Sequence, residues 1–311
     1  MAEIAISKVL FPNWLDADHM PIENRTGTEE VPAEACIGRP YGKVRFNEYE
    51  DSETQGARPM HSSMRFLSVC ALTLVATLWG AVALHAEGFL EVESGAAFTG
   101  YNDVRIPSDT GTKLSFATDT LSDPAFAFRV RGGYTFAGRH TVMLLVAPLT
   151  VRGSGTLDRD ISYQGVTFLK DTKVESSYRF DSYRLTYRYT FVKNESLDLA
   201  AGLTAKLRSA DIALMSAGAY AHRSDLGAVP LISLRAEWKF ARTASLLVDA
   251  DALVTPFGRA EDVLVALQYH LSDPVALRLG YRILEGGSDG GGLVYTFALF
   301  HYVTAGISVR F

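Results

Sequence analysis

Alternation of apolar and polar residues along most of the chain constrains its fold more than any other feature. From Phe126 to Phe311 it recurs in short stretches; residues 183–189, for example, read Tyr-Arg-Leu-Thr-Tyr-Arg-Tyr. Successive side chains of a β-strand point to opposite faces, so strict alternation predicts strands with one apolar and one polar face. The sequence therefore predicts an all-β fold.

Ten stretches show the pattern, including a weaker one before Phe126. They cover residues 90–98, 126–136, 140–151, 183–191, 197–207, 230–240, 246–252, 263–269, 275–283 and 303–311. The stretch 140–151 is apolar on both faces, so its facing is ambiguous; in the other nine, no apolar face carries a charge. Short turns at 137–139, 193–196, 241–243 and 272–274 alternate with mostly longer connections at 100–124, 153–180, 212–228, 255–261 and 286–292. An even number of strands with short turns at one end and long loops at the other predicts an antiparallel up-and-down transmembrane β-barrel of about ten strands.

Alternation alone does not say which face is inside, because a soluble barrel has the same period with its apolar face inward. Aromatic residues favour the membrane. They stand on the apolar face where every second strand approaches a short turn: Tyr134, Phe136, Tyr187, Tyr189, Phe191, Trp238, Phe240, Tyr269 and Phe311. Aromatics at one level form a ring of the kind found at membrane interfaces. We therefore expect the apolar face to contact lipid, with a soluble barrel as the alternative.

Residues 64–86 have the composition of a signal peptide. Arg65 precedes a largely apolar run without charge, and small residues offer cleavage after Ala83 or Ala86. An uncleaved membrane anchor is the alternative. No comparable apolar run follows, so a membrane-embedded body must be a barrel, which satisfies its own backbone hydrogen bonds.

Residues 1–63 show no sustained period and hold 6 basic against 11 acidic residues. We expect either an upstream start codon chosen in error, with Met60 or Met64 as the true start, or a disordered extension. The region 87–311 is the barrel domain, and its 23 basic and 24 acidic residues give no excess positive charge for nucleic acid. Both cysteines precede Glu87, which excludes a thiol nucleophile or a Cys-ligated zinc from the barrel. We predict no metal and no cofactor.

Alternate residues of the last stretch, Val303, Ala305, Ile307, Val309 and Phe311, resemble the terminal strand of bacterial outer-membrane proteins, which ends in phenylalanine. The resemblance covers residues 87–311 in overall pattern. It implies a place in the bacterial outer membrane, in contact with lipid and lipopolysaccharide. It also implies that the barrel-assembly machinery reads Val309 and Phe311 during insertion. It implies an architecture and an insertion route rather than an activity.

The polar faces predict a charged lumen. The inward residues of this predicted network are Arg129, Arg131, Arg184, Arg188, Arg235, Glu237, Lys239, Asp249, Asp251, Arg278 and Arg282. Charges in a narrow lumen must pair or be hydrated, because isolated burial is costly. The favoured interpretation is a network of ion pairs and water that plugs the lumen; a narrow polar conduit or a small-solute site is the alternative.

A second cluster is predicted near the rim that carries the long loops. Its members are Asp251, Arg259, Glu261, Asp262, Arg282 and Glu285, with His301 as a further candidate. Ten-stranded omptin proteases place Asp and His residues at a barrel mouth, but no local motif here matches theirs. Rim salt bridges that anchor loops are therefore favoured over acid–base catalysis, and no catalytic residue is assigned.

The polar loops 100–124 and 153–180 are predicted to extend two hairpins above the membrane. Tyr101, Tyr163 and Phe168 are candidates for contact with a partner or with lipopolysaccharide, although packing of the extended strands is the default interpretation. The glycine-rich segment 286–292 is interpreted as a mobile tip. The predicted function is that of a surface structural or interaction barrel. A narrow channel for small polar solutes is the alternative, and a hydrolase at the rim is the least favoured of the three.

Overall fold

The computed structural model describes residues 86–256, 258–289, 291 and 293–311. They form fourteen β-strands: β1 Glu87–Arg105, β2 Leu114–Ser115, β3 Ala125–Phe136, β4 His140–Ala147, β5 Thr150–Thr156, β6 Ile161–Tyr163, β7 Val166–Phe168, β8 Lys173–Lys193, β9 Leu197–Met215, β10 Tyr220–Ala241, β11 Ala244–Thr255, β12 Gly258–His270, β13 Val275–Asp289 and β14 Tyr295–Arg310. No helix in these residues is long and apolar enough to cross a bilayer. The predicted extension 1–63 and nearly all of the predicted signal peptide lie outside the described residues.

The strands close into an antiparallel barrel with ten wall positions, which we call staves. Stave one is β1, stave two is β3, and β4 and β5 share stave three because both pair with β8; β8 to β14 supply staves four to ten. Strand β14 pairs with β1 from Phe89 opposite Arg310 to Arg105 opposite Tyr295, which closes the cylinder. The predicted fold, an up-and-down antiparallel barrel of about ten strands, is confirmed.

The ten predicted stretches coincide with barrel strands, with 140–151 divided between β4 and β5 at residues 148–149. The predicted connections at the far end are too long. Strands β9 and β10 continue to Met215 and from Tyr220, so only residues 216–219 connect them. The segment interpreted as a mobile tip also belongs largely to β13, which ends at Asp289. Its glycines permit close pairing: a side chain on Gly287 would place its Cβ 1.9 Å from the Thr296 carbonyl oxygen. We call this end the loop end and the other the short-turn end.

The two faces of each strand are separated as the alternation predicts. Leu203 is 68% exposed on the outer wall, whereas Thr204, its neighbour in the chain, is 2% exposed and faces the lumen. In the ambiguous stretch Leu144 faces outward, while Met143 and Leu145 are buried inside. An apolar surface that continues around the outside of the barrel is costly to expose to water and is compatible with contact to lipid. Aromatic residues form a belt around the barrel at the short-turn end. Phe136 in this belt is half-buried, and the other members are exposed: Tyr134, Tyr187, Tyr189, Phe191, Trp238, Phe240, Tyr269 and Phe311.

The two long connections at the loop end, residues 106–124 and 157–172, fold together into a cap and do not form two separate hairpins. Strands β6 and β7 form a small hairpin whose turn residues Gln164 and Gly165 both have positive φ, as a tight hairpin turn requires. The Gln164 N–H donates to the Ile106 carbonyl oxygen at 2.9 Å. The Tyr163 hydroxyl donates to the Ile212 carbonyl oxygen of β9, also at 2.9 Å. These contacts join both long loops and the β9–β10 hairpin into one structure.

Candidate functional site

A layer of ion pairs fills the middle of the lumen. It contains seven arginines and six carboxylates: Arg129, Arg131, Arg184, Arg188, Arg235, Arg278, Arg282, Glu91, Glu93, Glu237, Asp249, Asp251 and Asp262. All are buried except Arg235, which is half-buried. Each of these side chains stands on the polar face of its strand, so the period-two pattern directs all of them inward.

Two of these pairs span the full width of the barrel. Arg131 on stave two reaches Asp249 on stave seven at 3.1 Å, and Arg235 on stave six reaches Glu91 on stave one at 3.6 Å. Staves five positions apart in a ring of ten are diametrically opposite. Side chains from opposite walls therefore meet in the centre of the lumen.

Arg188 and Arg278 join the same level through Asp249 and Glu91, and three further arginines extend the layer toward the loop end. Arg184 donates to Asp251 at 2.7 Å, and Arg129 donates to Asp262 at 2.9 Å. The Arg282 guanidinium makes a two-pronged contact with Glu93, at 2.9 and 3.0 Å. Such bidentate pairing fixes both side chains and is stronger than a single neutral hydrogen bond.

Hydroxyl groups satisfy carboxylate oxygens that the arginines leave free. The Ser233 and Thr204 hydroxyls donate to Asp251 at 2.6 and 3.0 Å. At the edge of the layer, Ser245 donates to Glu237 at 2.9 Å. A buried carboxylate with several donors is stable in a low-dielectric interior, whereas one that loses its partner is not. The layer is thus an interdependent network rather than a set of independent pairs.

Cavities lie on both sides of the ion-pair layer. The one at the short-turn end has a volume of about 170 Å³ and is lined by polar groups that include Glu91, Arg188 and Arg235. The one at the loop end has a volume of about 150 Å³ and a mostly apolar wall surface, with Lys206 at the layer and Arg208, Arg259, Glu285 and Asp289 also in its lining. The Lys239 ammonium, predicted inside the lumen, pairs with Asp198 at 2.9 Å near the short turns.

An apolar core closes the loop end above the layer. It includes Ile106, Leu114, Phe116, Ile161, Tyr163, Phe168, Val174, Tyr178, Phe300 and Tyr302. Tyr163 and Phe168 are each 1% exposed and pack inside the cap, as the default interpretation held. Tyr101 instead bonds through its hydroxyl to Glu285.

A salt bridge ties the outer part of the cap together. The Arg159 guanidinium donates to both oxygens of Asp119, at 2.9 and 3.0 Å, and the Ser115 backbone N–H donates to the same carboxylate at 2.8 Å. Burial on its own raises the pKa of the Asp119 carboxyl, but these bonds exceed that effect and lower its pKa below the ordinary value. The contact joins the two long loops.

The predicted rim cluster divides between two environments. Asp251, Asp262 and Arg282 belong to the buried ion-pair layer. Arg259 and Glu285 bond to each other beside Tyr101 at the loop-end rim, and Glu261 lies opposite Glu285 in the register of β12 and β13. One step along a strand reverses the face, which separates Asp262 from its neighbour Glu261.

His301 lies away from the buried carboxylates. Its Nδ1 is 2.5 Å from the Tyr281 hydroxyl on the outer face of the barrel. An acid–base pair of His301 with Asp251 or Asp262 is therefore not assembled. No group of three or more His, Cys, Asp or Glu side chains in the described part of the chain is arranged to hold a metal ion.

Three charged residues of the lumen, Glu91, Glu93 and Lys206, belong to neither predicted cluster, although the sequence contained a signal for them. Glu91 and Glu93 occupy the polar face of β1 and pair with arginines of β3 and β13. Lys206 occupies the polar face of β9 and is buried. The same parity that identified the arginines applies to all three.

The fold is similar to that of several solved outer-membrane proteins. Outer membrane protease OmpT from Escherichia coli is 10% identical over 72% of this chain and 97% of that chain, with a TM-score of 0.47. Ail, the attachment invasion locus protein of Yersinia pestis, is 13% identical over 72% of this chain and 99% of that chain, with a TM-score of 0.32. Neisserial surface protein A is 13% identical over 71% and 97%, with a TM-score of 0.33. No protein-family model and no curated protein sequence matches the chain. The likenesses are in fold alone.

Proposed function

We propose that this barrel resides in the bacterial outer membrane with a closed lumen and acts at the cell surface as a structural or interaction protein. The observation that supports closure is the ion-pair layer, in which Arg131 and Asp249 meet from opposite walls. The apolar exterior and its aromatic belt support the membrane location. Lipid and lipopolysaccharide would then surround the wall, and the folded cap would be the part presented outward.

Conduction would require a continuous wet path through the layer. The cavities at the two ends lie on opposite sides of it, and Arg188 borders one while Lys206 borders the other. A solute passing between them would have to separate several buried ion pairs. Loss of one partner from a buried pair typically costs about 3–5 kcal/mol, so transient opening of several pairs is rare.

The seam between β14 and β1 supports a role for the last strand in insertion. Phe311 exchanges backbone hydrogen bonds with Gly88, at 2.7 and 2.8 Å, and its ring is exposed on the outer wall. Val309 lies opposite Leu90 in the register. Val309 and Phe311 would thus be presented to the barrel-assembly machinery until β1 replaces it.

Conductance in planar lipid bilayers tests closure. The native protein should insert without discrete current steps. The charge-neutral double variant Arg131→Ala with Asp249→Ala removes two side chains that meet in the centre of the lumen, and it also takes Asp249 away from Arg188 and Arg235. It should therefore open the layer and produce measurable steps, which also shows that insertion is detected. Stable steps from the native protein at low voltage would contradict closure and support a narrow channel for polar solutes.

A further inference from the structure

The loop-end cavity lies on the loop-end side of the ion-pair layer, inside walls formed by strands β8 to β14. Most of its wall surface is apolar, and the charged residues Arg208, Arg259, Glu285 and Asp289 also line it. Its volume is about 150 Å³, and its lining includes Tyr178, Phe180, Lys206, Leu253, Leu284 and Phe300. An apolar cavity of this size accepts a benzene-sized group. The apolar walls therefore suit a small hydrophobic body.

Lys206 is a buried cation without an anion in contact with it. It is 4% exposed, and its Nζ lies 4.8 Å from the centre of the Phe180 ring. Among the described residues, no side chain accepts a hydrogen bond from this ammonium or forms an ion pair with it. A cation over an aromatic face gains some stabilisation, but an ammonium taken out of water without an acceptor is costly. Asp262 attracts this ammonium without contacting it, whereas Arg184, Arg208 and Arg129 repel it, so the protein compensates this charge only in part.

Its neighbours increase the imbalance. Lys206 lies directly opposite Arg184 in the register of β8 and β9, and like charges in that position repel. Arg184 directs its guanidinium to Asp251 and Asp262. The layer holds seven arginines and six carboxylates, so Lys206 adds to its excess of positive charge. The other charged residues that line the cavity balance in number, Arg208 and Arg259 against Glu285 and Asp289, so the excess at the cavity is that of Lys206.

We infer that this cavity binds a small amphipathic anion, whose carboxylate or other anionic headgroup pairs with Lys206 and whose apolar body packs against Tyr178 and Phe300. A single headgroup acceptor would supply the partner that Lys206 lacks. The inference concerns a site above the ion-pair layer and stands whether or not the lumen conducts, because conductance and binding are measured separately.

Beside the cavity, the hairpin of β11 and β12 extends less far toward the loop end than the neighbouring strand β10 does. Strand β11 ends at Thr255 and β12 begins at Gly258, and both residues line the cavity. Strand β10 pairs with β11 only from Ile232, so its residues 220–231 have β9 as their one described strand partner. The ligand can therefore come from outside the cell or from the lipid leaflet beside this hairpin.

Binding of 4-(trifluoromethyl)benzoate to the full barrel in phosphatidylcholine nanodiscs tests the inference, with ¹⁹F NMR as the readout. The native protein should bind it saturably. Lys206→Met should weaken binding about 10- to 100-fold, the range expected for a lost charge-assisted hydrogen bond. The neutral analogue 4-(trifluoromethyl)benzamide should bind weakly to both proteins with equal affinity.

Two further variants separate the contribution of the Lys206 charge from that of the apolar cavity. Lys170→Met, on the exposed surface of the cap, removes an equal charge and should leave benzoate binding unchanged. Leu253→Trp fills the cavity from the hairpin and should abolish binding of both probes, with retained folding checked by heat-dependent gel mobility. No saturable binding to the native protein, or equal affinity of the native and Lys206→Met proteins for benzoate, would overturn the inference.

Nanodiscs that contain phosphatidylglycerol distinguish the source of the anion. If a lipid headgroup occupies the cavity, this anionic lipid should compete with benzoate and lower its apparent affinity for the native protein. The comparison is made at high salt, which screens the general repulsion of benzoate by a charged bilayer. A fall in affinity that persists there assigns the site to a lipid headgroup. Equal affinity in the two kinds of nanodisc assigns it to a soluble anion.

Discussion

Replacing Asp249 by Asn should be among the most destabilising single changes in the barrel. Asp249 accepts hydrogen bonds from Arg131 at 3.1 Å, from Arg188 at 2.8 and 2.9 Å and from Arg235 at 3.2 Å. Asparagine keeps the volume but removes the charge. The guanidiniums of Arg131, Arg188 and Arg235 then lie close together, and the remaining carboxylates compensate only part of their positive charge.

The size of the effect follows from what remains. Arg131 and Arg235 still share Glu91, at 3.2 and 3.6 Å, whereas the other carboxylate near Arg188 is Asp251, at 3.8 Å. One guanidinium therefore loses its close partner entirely. Breaking a buried pair in this way costs about 3–5 kcal/mol, which is a factor of about 10² to 10⁴ in the folding equilibrium at about 1.4 kcal/mol per tenfold change.

Urea unfolding in phospholipid vesicles measures this loss, with Trp238 as the reporter. Trp238 is the single tryptophan of residues 87–311 and is 55% exposed on the outer wall. The matched control Asp158→Asn makes the same chemical change in an exposed pair with Arg159 and should alter stability far less. Combining Asp249→Leu with Arg188→Met should recover much of the loss. A free energy of unfolding of Asp249→Asn within about 1 kcal/mol of that of the native protein would contradict this expectation. Water or ions would then compensate the charges of the layer, and the penalty for an unpaired buried charge would not apply to this layer.

Three further predictions concern other parts of the molecule. A cysteine at position 203 should react with a lipid-dissolved probe in reconstituted bilayers and a cysteine at 204 should not, because Leu203 faces outward and Thr204 faces the lumen; the reverse preference would refute the membrane orientation. The lowered pKa of Asp119 means that its stabilisation is fully present above the unfolded-state value of about 4 and is lost as pH falls through the folded value, so acid should loosen the cap before the barrel, and hydrogen exchange with Asp119→Asn as the control detects this. The closed barrel should resist SDS until boiled; identical gel mobility before and after boiling would count against closure.

The strands were predictable wherever one face meets lipid and the other meets charged groups. The prediction failed where that contrast disappears. Residues 208–215 and 220–229 extend β9 and β10 toward the loop end, where lipid no longer selects apolar side chains, so no alternation marks them as strands. The stretch 140–151 had a different problem, because Met143 and Leu145 are apolar although they face the lumen, where Arg131 and Arg184 flank Leu145 in the register.

The partners within the lumen could not be predicted from the sequence. Parity shows that Arg131 and Asp249 both point inward, but their contact depends on which staves are opposite after closure. That geometry depends on the number of strands and on the register of every pair between them. The burial of Tyr163 likewise depends on two loops folding over one mouth, which local sequence does not encode.

Closure through β1 and β14 also determines the order of events when the barrel forms. The first and last staves are adjacent in space, so the final row of backbone hydrogen bonds joins the two ends of the barrel domain. Contacts of such long sequence separation form late and slowly. Until then every partly formed sheet has two unpaired edges, which are templates for aggregation. The sixteen residues of β14 thus convert an aggregation-prone intermediate into a structure without edges along its seam, and a barrel that lacked them would keep two unpaired edge strands instead of being a weaker version of the same protein.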